Sequence, residues 1–149
     1  MDSWSLILDA RRAGLKAGFG YDPEMTPATV QKFVWSEVPK ENVTPVIARQ
    51  LVTGVSAMAG MITLQKGSYV PKHSHVSEQL TYVIEGSLRF LIEGKEILVS
   101  AGEILVIPAW VPHEATAVEH TVELDIFSPI RQDWLDGTDT YFRSGAPKA

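Results

Sequence analysis

The chain has 149 residues, with 18 acidic against 13 basic side chains, a formal charge of −5 at neutral pH and no cysteine. An acidic balance with no basic run argues against nucleic acid as a partner, and the missing thiols exclude disulfides and thiolate metal ligands. The length suits one domain with a real hydrophobic core. No apolar run approaches the ~18 residues that span a bilayer, Arg11 and Arg12 follow the first apolar stretch in the reverse of a secretory signal, and the expectation is a soluble cytoplasmic protein with no membrane partner.

In chain order, Trp4, Ile7, Leu8 and Leu15 recur at near-helical spacing until the glycines at 18 and 20, which predicts a short amphipathic helix over residues 2–17. Asp22-Pro23 and Thr26-Pro27 then make an irregular connector, closing an N-terminal arm of residues 1–29. From Val30, short runs rich in Val, Ile, Phe, Thr and Tyr alternate with turn residues. They predict strands over 32–37, 44–51, 56–64, 79–84, 87–93, 95–99, 103–107, 113–118 and 121–128. Glu93-Gly94 makes a hairpin, and Glu85-Gly86 and Ala101-Gly102 further turns. Short, closely spaced strands predict an all-β double-sheet domain over residues 30–131, followed by an irregular tail over 132–149.

The chemistry is concentrated between Gly67 and His113. Five residues separate Gly67 from His73, one separates His73 from His75, three separate His75 from Gln79 and six separate Gln79 from Gly86. Residues 73, 75 and 79 share parity, so an extended chain would point them to one face, with His113 arriving from elsewhere in the sheet. Three imidazoles and an amide oxygen can hold one divalent first-row ion, whether zinc, nickel, manganese, iron, cobalt or copper, and leave positions open for a substrate. Gln79 is neutral where a glutamate would cancel one charge, so a divalent ion there keeps its full charge and attracts an anionic oxygen. The neighbouring Glu78 has the opposite parity and should face away, unless a bulge exchanges the two.

In the strand over 121–128, Val122, Leu124 and Ile126 form one face and Glu123, Asp125 and Phe127 the other. An acid among aliphatic strand residues invites two readings of Asp125: a partly desolvated general acid/base, or a structural carboxylate paired with Arg131 or Arg89.

The pattern Gly67, His73-x-His75, Gln79, Gly86, followed by Gly102, Pro108 and His113, resembles the two motifs of the cupin family. Gln79 replaces the usual glutamate, Trp110 a glycine and Ala117 an asparagine. The resemblance runs from about residue 47 to 131 and implies a cupin jelly-roll barrel. With the runs His73 to Gln79, Tyr82 to Gly86 and Leu124 to Arg131, the chain looks like the small cupins of pectin and alginate breakdown, which convert 4,5-unsaturated uronates to their linear keto form. That likeness implies a metal held by His73, His75, Gln79 and His113, with Asp125, Phe127 and Arg131 serving activity. Asp125 would then be the acid/base and Phe127 a wall against the sugar ring. Arg131 would pair with the substrate carboxylate, its alternative being an anchor for the tail beside Asp133. The expected partners are a small anionic substrate and a second copy of the chain in a homodimer. Two other outcomes are open to such a site: a metal-dependent oxygenase, or a non-catalytic binding module with a structural Asp125.

Overall fold

Inward and outward side chains alternate along ten strands, and in the computed structural model, which describes residues 30–143, these strands build two facing sheets. They are β1 (Glu41–Thr44), β2 (Ile47–Thr53), β3 (Met58–Leu64), β4 (Tyr69–His73), β5 (Glu78–Glu85), β6 (Ser87–Ile92), β7 (Lys95–Ser100), β8 (Ile104–Ile107), β9 (His113–Ala117) and β10 (Thr121–Ser128). One sheet runs β1-β2-β3-β10-β5-β8 and the other β4-β9-β6-β7, with antiparallel pairing throughout. This is the expected all-β jelly roll. Ile62, Leu64, Val83 and Phe127 of the larger sheet share one buried core with Val70, Leu88, Phe90, Val99 and Ala117 of the smaller. Each of these side chains except that of Ala117 contributes roughly 1.5–3 kcal/mol on removal from water.

Turn chemistry sets the register. Glu93 and Gly94 both take positive φ, 52° and 74°, forming the two-residue turn that pairs Ile92 with Lys95. Gly86, at φ 82°, links β5 to β6 where an added Cβ would lie 2.2 Å from the His120 carbonyl oxygen, so no larger residue fits without movement.

Four expectations need correction. Residues 32–37 do not form a strand: Trp35–Glu37 is a single 3-10 turn, and the carbonyls of Trp35 and Val38 accept from the Gln50 side-chain amide at 2.6 and 2.7 Å instead of from a neighbouring strand. The strand expected over 44–51 is divided by Pro45 into β1 and β2. Strand β4 was absent from the expected set, and its Pro71 is tolerated because β4 is an edge of the smaller sheet. The helix expected over 2–17 and the rest of the N-terminal arm lie outside the described residues.

The tail expected to be irregular contains α1 (Gln132–Asp136) and α2 (Thr140–Arg143), and it is anchored to the barrel. Arg49 of β2 donates to Asp139 at 2.7 Å, both side chains fully buried, and to Glu41 of β1 at 2.9 Å. Its guanidinium carbon lies 4.7 Å from the Trp134 ring centre. Trp134 and Phe142 are themselves buried. Removing one partner of a buried ion pair of this kind costs about 3–5 kcal/mol, because the other charge is left uncompensated.

Candidate metal centre

The site forms where the two sheets approach each other. His73, the last residue of β4, pairs in register with His113, the first of β9. Their rings lie 4.3 Å apart. His75 sits in the β4–β5 connection, its carbonyl accepting from the Trp110 N–H at 2.8 Å. Gln79 comes from β5 in the opposite sheet. Trp110, which stands where the resembling motif has glycine, keeps a positive φ of 64° and remains 64% exposed, a backbone geometry that costs a side-chain-bearing residue about 1 kcal/mol.

Each imidazole has its Nδ1 at 2.8 Å from a backbone carbonyl: Pro71 for His73, Ser77 for His75 and Val111 for His113. A carbonyl can only accept, so each Nδ1 carries the proton. Burial, reinforced by the neighbouring His113, lowers the His73 pKa to about 3. Burial and the Arg131 charge lower His75 to about 4, and burial lowers His113 as well. All three rings are therefore neutral at pH 7, with lone pairs on Nε2. The ligand atoms of the three lie within 4.8 Å of one another, and His113 Nε2 is buried without a hydrogen-bond partner.

The fourth donor is fixed by its other end. Gln79 Nε2 donates to Thr81 Oγ1 at 2.9 Å, and Thr81 donates to Asp125 Oδ1 at 2.6 Å. This directional chain turns Gln79 Oε1 toward His75 Nε2, 3.0 Å away. With His75 protonated on Nδ1, that approach brings two lone pairs together, a contact that a shared cation relieves. Three neutral imidazoles and one amide oxygen thus make a donor set that fits a divalent first-row ion. Glu78 is exposed and Gln79 buried. The convergence arises differently from the parity expectation: His73 and Gln79 come from opposite sheets and His75 from the connection between them.

Strand β10 brings the acids. Glu123, Asp125 and Phe127 are all buried on its inner face, and Asp125 pairs in register with Thr81. Burial raises Asp125 to about 7 in spite of the Thr81 hydrogen bond and the Arg131 charge. Burial also pushes Glu123 well above the ordinary carboxylate range, with the Asp125 charge adding to it, and Glu123 Oε2 has no hydrogen-bond partner. Neither arginine proposed for Asp125 forms an ion pair with it. Arg89 is exposed on β6, and Arg131 donates to Asp133 through Nε at 2.9 Å and Nη2 at 2.7 Å.

Arg131 lines one cavity together with His73, Gln79, His113, Glu123, Asp125 and Trp134, and its Nη1 is buried without a partner. Its anchoring role beside Asp133 is present, and one N–H face is left over. Phe127 is fully buried, its ring edge-on to His75 at 5.7 Å and to Trp134 at 4.9 Å, with the Arg131 guanidinium 5.1 Å away. It supports these groups from beneath and is no open wall for a sugar ring. Thr81, Trp134 and Tyr141, whose ring stacks on His73 at 4.0 Å, belong to the site, and the sequence alone assigns them no role. Glu123 lies on the face its parity predicts, and parity alone assigns it no role. For Thr81 the signal was its parity with Gln79; for the two aromatic residues of the tail there was none.

Comparison with known proteins agrees with this fold. Residues 60–128 match the cupin domain family. The pectin degradation protein KdgF of Dickeya dadantii is 29% identical over 106 residues, covering 69% of this chain and 96% of that protein. The structure of KdgF from Halomonas sp. is 30% identical with a TM-score of 0.65, covering 68% of this chain and 97% of that one. An RmlC-like cupin from Shewanella frigidimarina is 26% identical with a TM-score of 0.67, covering 71% of this chain and 96% of that one.

Proposed function

This chain belongs to the cupin family, and from that premise we propose that it is a metal-dependent enzyme opening and ketonising 4,5-unsaturated uronates. His73, His75, Gln79 and His113 would hold one divalent ion. When bound, such an ion supplies Lewis-acid stabilisation of an oxygen that gains negative charge during the reaction. The observation that carries the proposal is Asp125: a buried carboxyl with a pKa of about 7, tied through Thr81 to Gln79, in the same cavity as an unpaired Arg131 N–H.

The reaction needs one proton moved from oxygen to carbon. Asp125 takes the proton from the anomeric hydroxyl; the C1–O5 bond breaks as the C1 carbonyl forms, and the electron pair is left on the enolate oxygen at C5. Collapse of that enolate to the C5 ketone places the proton on C4, and no redox change is required. A carboxyl whose pKa lies near the working pH both accepts and returns a proton efficiently. Arg131 Nη1 offers a charge-assisted hydrogen bond to the substrate carboxylate, while Asp133 and Tyr141 hold the rest of the guanidinium. The sequence relation to a pectin degradation protein supports this substrate class.

A homodimer belongs to the same reading. Its support is the outer face of β5 and β8, where Tyr82, Ile84, Ile104 and Val106 are 41–58% exposed and Tyr82 pairs directly with Ile104. Among the described residues, no helix is long and apolar enough to cross a membrane.

The test is to load purified protein with metal and supply unsaturated galacturonate or mannuronate monosaccharide. Loss of the conjugated double bond above the uncatalysed rate, abolished by chelation, is expected. An uncatalysed rate at full metal occupancy would sink the proposal.

A further inference from the structure

The family match ends at residue 128, yet the segment after it supplies part of the site. The Tyr141 ring lies flat on His73, with centroids 4.0 Å and planes 14° apart. Its hydroxyl accepts hydrogen bonds from Arg131 Nη2 and from Trp134 Nε1, the latter at 3.2 Å. One side chain thus touches an imidazole of the metal centre with its face and the cavity guanidinium with its oxygen.

We propose that Tyr141 is a positioning residue that fixes His73 and Arg131 relative to each other, making the C-terminal segment a working wall of the site. The inference rests on the reading of His73 as a metal ligand and Arg131 as the group that meets the substrate's carboxylate. A hydrogen bond from Nδ1 to the Pro71 carbonyl pins one corner of the His73 ring but leaves its plane free to tilt about that point. A flat stack removes the tilt, so Nε2 is aimed by two constraints where each of the other imidazoles has its own carbonyl contact. Tyr141 itself has little freedom. It lies between Asp139, which is buried against Arg49, and the buried Phe142. Arg131 is held on two sides, by Asp133 at Nε and Nη2 and by the Tyr141 oxygen at Nη2, so that the unpaired Nη1 is the face it presents.

The two contacts can be removed separately. Tyr141→Phe keeps the stack and deletes the oxygen. It should leave the Kd for Zn²⁺, measured by competition with a chelator, within about threefold of wild type, while KM for an unsaturated uronate rises on the order of tenfold with little change in kcat. Tyr141→Leu deletes both contacts and should also weaken Zn²⁺ binding by roughly 10- to 100-fold, the range expected for loss of a ligand-orienting neighbour. A structural role alone would lower Tm in both variants and leave Kd and KM unchanged, which overturns the proposal. Where the Leu variant does not fold, the KM of the Phe variant decides. His73→Ala separates the two layers. Full Zn²⁺ affinity in that variant overturns the ligand assignment itself, whereas lost affinity there beside wild-type affinity in Tyr141→Leu overturns only the role of Tyr141.

Discussion

Thr81 donates its hydroxyl hydrogen to Asp125 across 2.6 Å while accepting from the Gln79 amide at 2.9 Å. One threonine thereby joins the proposed acid/base to a proposed metal ligand and fixes which end of the amide faces the imidazoles. Thr81→Val, nearly the same shape, should leave a buried amide N–H and a carboxyl oxygen unpaired at a cost of about 1–3 kcal/mol. The amide would be free to turn its nitrogen toward the ion, so metal affinity should fall about tenfold. Chemical denaturation and metal competition measure the two effects, and wild-type metal affinity would break the proposed link.

Gln79→Glu tests the same chain through charge. A carboxylate cannot donate to Thr81, so the hydroxyl would serve either Glu at that position or Asp125 and not both. The variant should hold a divalent ion at least as tightly, because it adds a negative ligand. It should bind anionic substrate more weakly, and the limb of its pH–rate profile assigned to Asp125 should move upward as that carboxyl loses its donor and gains a charged neighbour. An unchanged KM and profile would remove Gln79 from the ligand set.

The histidines make a prediction about acid. Burial holds His73 near 3 and His75 near 4, against 6.5 in an unfolded chain, so protons compete poorly for these nitrogens until well below the ordinary imidazole range. Bound metal should therefore persist to about pH 5 in dialysis followed by metal analysis. In the metal-free protein, unfolding lets these rings take up protons below 6.5, so their contribution to stability is complete above that value and is lost as pH falls toward 4. Replacement of His113 by Ala should abolish stoichiometric binding, since His113 Nε2 is buried with no other partner.

Much of this site was legible in the sequence because its chemistry is local. The spacing of His73, His75 and Gln79, the later His113, and the Glu93-Gly94 turn all depend on short stretches of chain. The route by which these side chains meet was not legible: parity suggests one face of an extended segment, whereas the chain leaves one sheet at His73 and enters the other before Gln79. Residues 32–37 have strand composition but no strand partner; the Gln50 side chain donates to the Trp35 carbonyl and the Glu37 N–H to that of Val34 instead. The tail contributes Trp134 and Tyr141 through long-range contacts with Arg49 and His73, which no periodicity within its short helices announces.

The outer face of β5 and β8 predicts the assembly. Ile104 and Val106 are 58% and 55% exposed, directly opposite Tyr82 and Leu80, and their side chains point away from the candidate metal centre. Ile104→Glu with Val106→Glu should leave fold and metal binding intact while converting a dimer to a monomer in sedimentation equilibrium. A wild-type protein that is monomeric at high micromolar concentration would remove the dimer from the proposal.

Asp125→Asn carries the most weight, because it separates a catalytic carboxyl from a structural one. Asparagine keeps the size and an oxygen to accept from Thr81, but it cannot move a proton. Turnover should fall roughly 10²- to 10⁴-fold with metal content unchanged. Stability gives an independent reading. The folded pKa of Asp125 is about 7 against 3.8 in a free chain, so the folded state binds this proton more tightly than the unfolded state. The stability it contributes is complete below about pH 4 and is lost as pH rises through 7. The variant has no such dependence, so its Tm relative to wild type should climb steadily from pH 4 to 7 in metal-free protein, with the histidine contribution common to both and cancelling in the difference. A pH-independent difference in Tm would mean that Asp125 is already charged at low pH. Normal turnover per metal in the variant would move the proton transfer to another group, and Glu123, buried two residues away on the same face, would be the next to replace.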